Sequence, residues 1–209
     1  ALGVGGGGGC QKMACSLAGL RAYVTGAPLV GALGLLQLVL SHHLSWRPPG
    51  WLGAAPITAQ TFAVCVNALV LERSSAAAAL GLYLGAGLLA TRVPALAPFG
   101  PKFSRATTGF VVGFVPGSWV VRALAAALWS DESGGVLLPS AVASVVGQLA
   151  VLVSGTLWLA HALGLSARDA LQAGFVPYIP GLLIKSGLAA AVAAVLALRC
   201  ADAGVESST

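Results

Sequence analysis

Apolar residues in this chain form six long runs, and proline, glycine or charged residues separate the runs from one another. Polar residues are rare inside each run, a pattern typical of helices that are buried or that face lipid. The pattern predicts six helices. They cover residues 23–44, 57–71, 76–90, 107–129 and 136–163, and a sixth follows the turn at Pro177 and Pro180 and reaches Leu198.

The composition indicates the solvent that these helices face. Of the 209 residues, 57% are hydrophobic and 8% are charged, and the mean hydropathy is +0.90. Such values are far from those of soluble domains, and a helix needs about 20 apolar residues to cross a bilayer. We therefore predict an all-α membrane protein, a single six-transmembrane-helix bundle. The second and third helices are short for a crossing, so they should be embedded beside their neighbours or thin the bilayer locally.

The two ends of the chain differ in composition from the membrane segment. Gly5 to Gly9 are consecutive glycines, and no acidic residue precedes Glu72. We expect residues 1–22 to form a flexible tail, the remnant of a removed targeting segment. Residues 23–199 should form the membrane domain, and residues 200–209 a C-terminal tail.

The charged residues give no indication of orientation. The formal net charge of +5 comes from scattered lysines and arginines, so neither nucleic-acid binding nor a patch for anionic lipids is predicted. Apart from Lys185, five basic residues would lie on each side of the membrane, and the positive-inside rule therefore assigns no topology. We expect the plasma membrane as the location, with an organelle membrane as the alternative.

Small residues recur at every fourth position in two of the predicted helices, which allows helix backbones to approach closely. We interpret the set in the fourth helix as an intramolecular packing face. The first helix lies at the edge of the sequence order, so its set is the better candidate for a partner surface. The sets are Gly109, Gly113 and Gly117 in the fourth helix, and Ala18, Ala22 and Gly26, with Ala27 and Gly31, in the first.

Motifs for catalysis or metal binding are missing from the sequence. The cysteines at positions 10, 15, 65 and 200 lack metal-ligand spacing with any histidine. No membrane segment holds paired carboxylates, HExxH or GxSxG, and the residue before Lys185 is Ile184, where a Walker A loop needs glycine. We therefore predict no catalytic residue, no metal and no cofactor, and a protein that is not an enzyme.

One charged residue stands out inside an apolar run. Lys185 follows the proline-rich turn at residues 176–181, and no carboxylate occurs between Asp169 and Asp202. An ammonium group inside a bilayer costs roughly 2.5–3.5 kcal/mol on insertion scales. The carboxylate of a bound small molecule is therefore an attractive partner for Lys185. The alternative is that Lys185 extends to the interface near Pro180, about 7.5 Å away along the helix.

Five features in order resemble the BioY family, the biotin-specific substrate-binding (S) components of energy-coupling factor (ECF) transporters. The resemblance rests on Tyr83 in the third helix and on four segments: PITAQT at 56–61, TTGFVVGF at 107–114, GTLWL at 155–159 and VPYIPGLLIK at 176–185. In the last segment, Leu182 stands where the family has an aspartate. The resemblance covers about residues 56–190.

The resemblance implies biotin uptake by a bundle of the ECF S-component type, with the ligand held between transmembrane helices. It also implies a separate coupling subunit with two ATPases, for which the small residues of the first helix are the expected contact. A homo-oligomer that works alone is the alternative partner arrangement. Two other functions stay open, a noncatalytic scaffold that packs helices and a carrier for a different small solute with a carboxylate.

A biotin site needs a mostly apolar pocket with a few directed polar groups. Lys185 would face the carboxylate or another acceptor, while three polar residues would supply hydrogen bonds and three aromatic residues would stack on the ring system. Trp158 is as well explained as an interfacial anchor and Phe110 as core packing. The predicted site residues are Lys185, Gln60, Thr58, Thr107, Gly109, Phe110, Trp158 and Tyr178.

Overall fold

The computed structural model describes residues 28–46, 57–129 and 135–206. These residues form seven α-helices, two short 3-10 helices and one pair of two-residue strands. The helices are α1 (Pro28–His43), α2 (Gln60–Val70), α3 (Arg73–Leu89), α4 (Thr108–Leu128), α5 (Leu137–Leu163), α6 (Ala167–Gly174) and α7 (Ile179–Glu206). The 3-10 helices are Pro94–Phe99 and Val176–Tyr178, and the antiparallel strands are β1 (Ser45–Trp46) and β2 (Ile57–Thr58).

The six predicted helices correspond to α1 to α5 and α7. Helices α1 to α5 end within about two residues of the expected positions, α5 at the left-handed Gly164, whereas α7 continues to Glu206, beyond the predicted end at Leu198. The additional helix, α6, lies in the polar connection after α5. The Ser166 hydroxyl caps it, because its Oγ accepts a hydrogen bond from the Asp169 backbone N–H at 3.2 Å. The predicted N-terminal tail, residues 1–22, lies outside the described residues.

The apolar helices make this chain an integral helical membrane protein. In the part of the chain that the structure describes, three segments are long and apolar enough to cross a membrane: Thr108–Leu128, Leu137–Leu163 and Ala167–Arg199. The helix Gln60–Val70 is apolar but shorter. The coarse prediction of a helical membrane protein is thus confirmed, whereas the number of crossings is not fixed at six by helix length.

Helix α2 lies at the centre of the bundle. Its 11 residues span only about 16 Å, half of a bilayer core of about 30 Å. Every residue from Ala63 to Val70 is buried, and α2 packs against α1, α4 and α7. Inside the bundle, Asn67 Nδ2 donates a 3.0 Å hydrogen bond to the Gly34 carbonyl oxygen of α1. The short helix is therefore embedded among its neighbours, as its length predicted.

Helices α4 and α5 pack against each other through glycine. A Cβ built on Gly113 would lie 3.0 Å from Ser154 Cβ, and one built on Gly117 would lie 3.0 Å from the Gly147 carbonyl oxygen. Residue numbers rise along α4 as they fall along α5, so the two helices are antiparallel. The glycine face of α4 is therefore an intramolecular packing face, which confirms its interpretation.

The partner surface that was predicted on the small residues of the first helix is not tested by the structure. Ala18, Ala22, Gly26 and Ala27 lie outside the described residues. Gly31 lies against α3, where a Cβ built on it would be 3.8 Å from Ser75 Cβ. The one described member of the set thus contacts the chain's own helix, and a partner surface on α1 stays a prediction.

Candidate functional site

A cavity of about 480 Å³ opens between the helices of the bundle. Its volume lies within the range of about 300–1,000 Å³ that is usual for small-molecule sites. Residues from α2, α4, α5 and α7 form most of the wall, and His42 of α1, Thr58 of β2 and the segments before α4 and after α5 complete it. The wall is formed by His42, Thr58, Gln60, Thr61, Lys102, Ala106, Thr107, Phe110, Val111, Phe114, Gln148, Val151, Leu152, Leu159, Leu163, Leu165, Ala173, Gly174, Tyr178, Leu182 and Lys185.

Lys185 lies on the wall of this cavity, where α7 faces α2 and α5. It makes no hydrogen bond or ion pair with any residue that the structure describes. Glu72 and Asp169 are exposed, and neither lines the cavity. The Lys185 residue thus lies on the cavity wall with no carboxylate from the described part of the chain beside it there, which favours binding of a ligand with an acceptor.

Gln60 stands at the first turn of α2 and connects three elements. Its Nε2 donates a 2.7 Å hydrogen bond to Tyr83 Oη and lies 3.2 Å from His42 Nδ1. Tyr83, which the resemblance placed on the third helix, is fully buried on α3. The two partners hold the Gln60 amide on the cavity wall, where a primary amide can fix the orientation of a ligand.

Thr107 lines the cavity but uses its hydroxyl within the chain. Its Oγ1 donates to the Lys102 carbonyl oxygen at 2.6 Å and accepts from the Ser104 backbone N–H at 3.1 Å. These bonds shape the turn that leads into α4. Thr107 therefore positions the segment that brings Lys102 to the cavity, while its hydroxyl proton is already engaged.

Two of the three predicted aromatic residues lie together on the wall. The rings of Phe110 and Tyr178 are 5.9 Å apart between centroids and tilted by 38°. Phe110 packs against Gly155 of α5, where any Cβ would overlap the ring. The pair forms an aromatic surface of the kind that packs against an apolar ring system.

Two predicted site residues lie elsewhere. Trp158 is 38% exposed and does not line the cavity, and its Nε1 donates to the Arg105 carbonyl oxygen at 2.8 Å. Gly109 lies at the α4–α5 contact, against the Trp158 side chain. The structure therefore brings together Lys185, Gln60, Thr58, Thr107, Phe110 and Tyr178 in one cavity, and it places Trp158 and Gly109 outside.

The cavity also contains polar residues that the sequence analysis did not select, above all Gln148 of α5. Gln148 is 2% exposed, and its Nε2 donates to Ser186 Oγ at 2.7 Å and lies 3.4 Å from the Leu182 carbonyl oxygen. An amide in the middle of a 27-residue apolar helix is a signal that sequence reasoning could have used. His42, Thr61 and Lys102 are further polar residues on the wall.

Metal binding finds no support in the described ranges. No group of three or more histidine, cysteine, aspartate or glutamate residues there could hold a metal ion. Since the cavity lining combines apolar and aromatic side chains with amides, hydroxyls and two lysines, it is suited to an organic ligand.

Comparison with known proteins points to one family. Residues 48–202 match the BioY family. The "Biotin transporter BioY2" of Lactococcus lactis subsp. cremoris (strain MG1363) is 31% identical over 142 residues, 65% of this chain and 72% of the relative. The "Biotin transporter BioY" of Rhizobium etli (strain ATCC 51251 / DSM 11541 / JCM 21823 / NBRC 15573 / CFN 42) is 33% identical over 175 residues, 78% of this chain and 84% of the relative. No solved structure matches the chain significantly. Because the family match covers most of the chain, and it agrees with both relatives, the chain belongs to the BioY family.

Proposed function

We propose that this protein binds biotin in the cavity and carries it across a membrane as the substrate-binding component of a transporter. The observation that supports this most directly is an uncompensated lysine, Lys185, on the wall of a cavity in a BioY-family chain. Two relatives carry the name biotin transporter. As a member of this family, the chain is a carrier and not an enzyme.

The cavity has the groups that biotin requires. Biotin combines an apolar ring and chain with a ureido group at one end and a carboxylate at the other. Apolar and aromatic side chains form much of the wall, among them Phe110, Phe114 and Tyr178. Lys185 and Lys102 are donors for the two acceptor ends, and Gln60, Thr58 and Gln148 supply directed polar groups.

The remaining expectations concern assembly. We propose that residues 23–199 form a six-helix membrane domain of the ECF S-component type, in which the short helices α2 and α3 count as crossings. A coupling subunit with ATPases would bind the face of α1, with a homo-oligomer as the alternative. The plasma membrane is the proposed location, and an organelle membrane is the alternative.

Ligand-dependent stabilisation of the purified protein tests the function. Biotin should raise the melting temperature in detergent, and the rise should grow with biotin concentration, because a ligand that binds only the folded state adds about 2.7 kcal/mol at 100 times its Kd. Lipoate is the matched control ligand, since it has the carboxylate and a sulfur-containing ring but no ureido group. A melting temperature unchanged at millimolar biotin and lipoate would favour a scaffold. A shift with lipoate but not biotin would indicate a carrier for another carboxylate.

A further inference from the structure

Two glutamine side chains from different helices line the same cavity, Gln60 on α2 and Gln148 on α5. A primary amide has two N–H donors and one carbonyl acceptor. In both residues the nitrogen faces protein partners. What each glutamine can offer to a ligand therefore depends on its oxygen.

The orientation of Gln148 follows from its partners on α7. Its Nε2 lies 2.7 Å from Ser186 Oγ and 3.4 Å from the Leu182 carbonyl oxygen. A main-chain carbonyl can only accept a hydrogen bond, so the amide group that faces Leu182 must be the NH2. Within the described residues the Gln148 oxygen accepts no hydrogen bond. Because this side chain is almost fully buried and lines the cavity, the oxygen is an acceptor available to a ligand.

Gln60 is held in a similar way from the other side. Its Nε2 donates to Tyr83 Oη at 2.7 Å, and the second N–H can reach His42 Nδ1 at 3.2 Å. His42 accepts at Nδ1 when its ring proton is on Nε2. The Gln60 oxygen then has no hydrogen-bond donor among the residues that the structure describes, and it too is available in the cavity.

We propose that Gln60 and Gln148 form a double acceptor that receives two N–H groups of the ligand, one on each amide oxygen. This rests on the proposed function, since the ureido ring of biotin presents two N–H groups. The partners of the two nitrogens act as positioning residues: the Leu182 carbonyl can only accept and so orients Gln148, while Tyr83 Oη and His42 Nδ1 orient Gln60 when both accept. In a ligand with an oxygen in place of either N–H, that oxygen would face a glutamine amide oxygen. Neither atom can donate a hydrogen bond, so the ligand would bind more weakly.

Two cyclic carbamate analogues of biotin, each with oxygen in place of one ring N–H, test this pairing. The wild-type protein should bind each analogue about 10- to 100-fold more weakly than biotin. Gln148→Met should remove the preference for biotin over one of the two analogues, and Gln60→Met should remove the preference for biotin over the other. Gln37→Met on α1 is the matched control, because Gln37 does not line the cavity, and it should keep both preferences.

The preference compares two ligands on one preparation, so partial misfolding of a variant leaves it unchanged. Should Gln148→Met fail to fold, Ser186→Ala replaces it, since release of the Gln148 amide should reduce the same preference. Equal binding of biotin and both analogues to the wild type would overturn the double acceptor, as would wild-type preferences in both methionine variants. Neither result touches the proposed function, which fails only if the wild type does not bind biotin.

Discussion

Replacement of Lys185 by alanine should weaken biotin binding by about 10- to 100-fold, the largest loss expected from any single cavity residue. Hydrogen bonds to a charged group contribute about 1.5–3 kcal/mol, which corresponds to that change in Kd. No carboxylate in the described part of the chain lines the cavity, so no protein anion on the wall competes with the ligand for the Lys185 ammonium group. Titration of the purified protein with biotin measures the effect, and Arg92→Ala, at an exposed position outside the cavity, serves as the control.

A second measurement separates loss of charge from loss of fold. Lys185→Met keeps the apolar stem and removes the ammonium group, so the ligand-free protein should melt at a higher temperature than the wild type while it binds biotin more weakly. A variant that lost both stability and binding would show only that Lys185 supports the fold. Biotin methyl ester then identifies the acceptor. If Lys185 meets the carboxylate, the wild type and the variant should bind the ester equally. If the wild type instead binds the ester more tightly than the variant does, by the same factor as it binds biotin more tightly, Lys185 meets the ureido oxygen.

The fold was largely predictable because the physics of a membrane helix is local. Apolar runs bounded by proline, glycine and charge predicted the helices α1 to α5 and α7, since a polar break in a lipid-facing run is costly. Helix α6 was missed because its sequence is polar and has no apolar run, although Ser166 and Asp169 provide a capping signal. The number of crossings was beyond this reasoning, because an 11-residue helix such as α2 is stable only through its neighbours.

The site, like the fold, could be predicted only in part from the sequence. Lys185 was found because a charge in an apolar run needs a partner, and Gln60 was found because it lies in the PITAQT segment that carries the family resemblance. Gln148 is also polar within an apolar run, and Ser140 and Ser144 precede it at four-residue spacing on one buried face of α5, but no family motif drew attention to it. Which face of a helix meets the cavity depends on packing partners that are distant in sequence.

Trp158 illustrates that limit. Its neighbour Leu159 lines the cavity, whereas Trp158 does not, because successive residues on a helix point about 100° apart. The motif at residues 155–159 identified the segment of α5 correctly but not its rotation about the helix axis. The packing of α5 against α4, α6 and α7 determines that rotation.

The contact between α4 and α5 should therefore be the most sensitive packing site in the described bundle, and Gly109→Leu should disrupt it. A Cβ at Gly109 would overlap the Trp158 side chain and lie 3.0 Å from the Ser154 carbonyl oxygen, which is backbone and cannot rotate away. Insertion of extra carbons into a packed contact costs about 1–3 kcal/mol and occasionally more. We expect a melting temperature lower by about 5 °C or more, since 1 kcal/mol corresponds to roughly 2–4 °C for a chain of this size.

Gly85→Leu on α3 is the matched control, because no heavy atom lies within 4 Å of a Cβ built there. Leucine is a better helix former than glycine, so this variant should melt at or above the wild-type temperature. Biotin binding gives a second readout of Gly109→Leu, since α4 also positions Thr107 and Phe110 on the cavity wall. Separation of α4 from α5 would move both residues, and affinity should fall together with stability. Equal melting temperatures for the two glycine variants would mean that close approach of α4 and α5 does not hold the cavity wall in place.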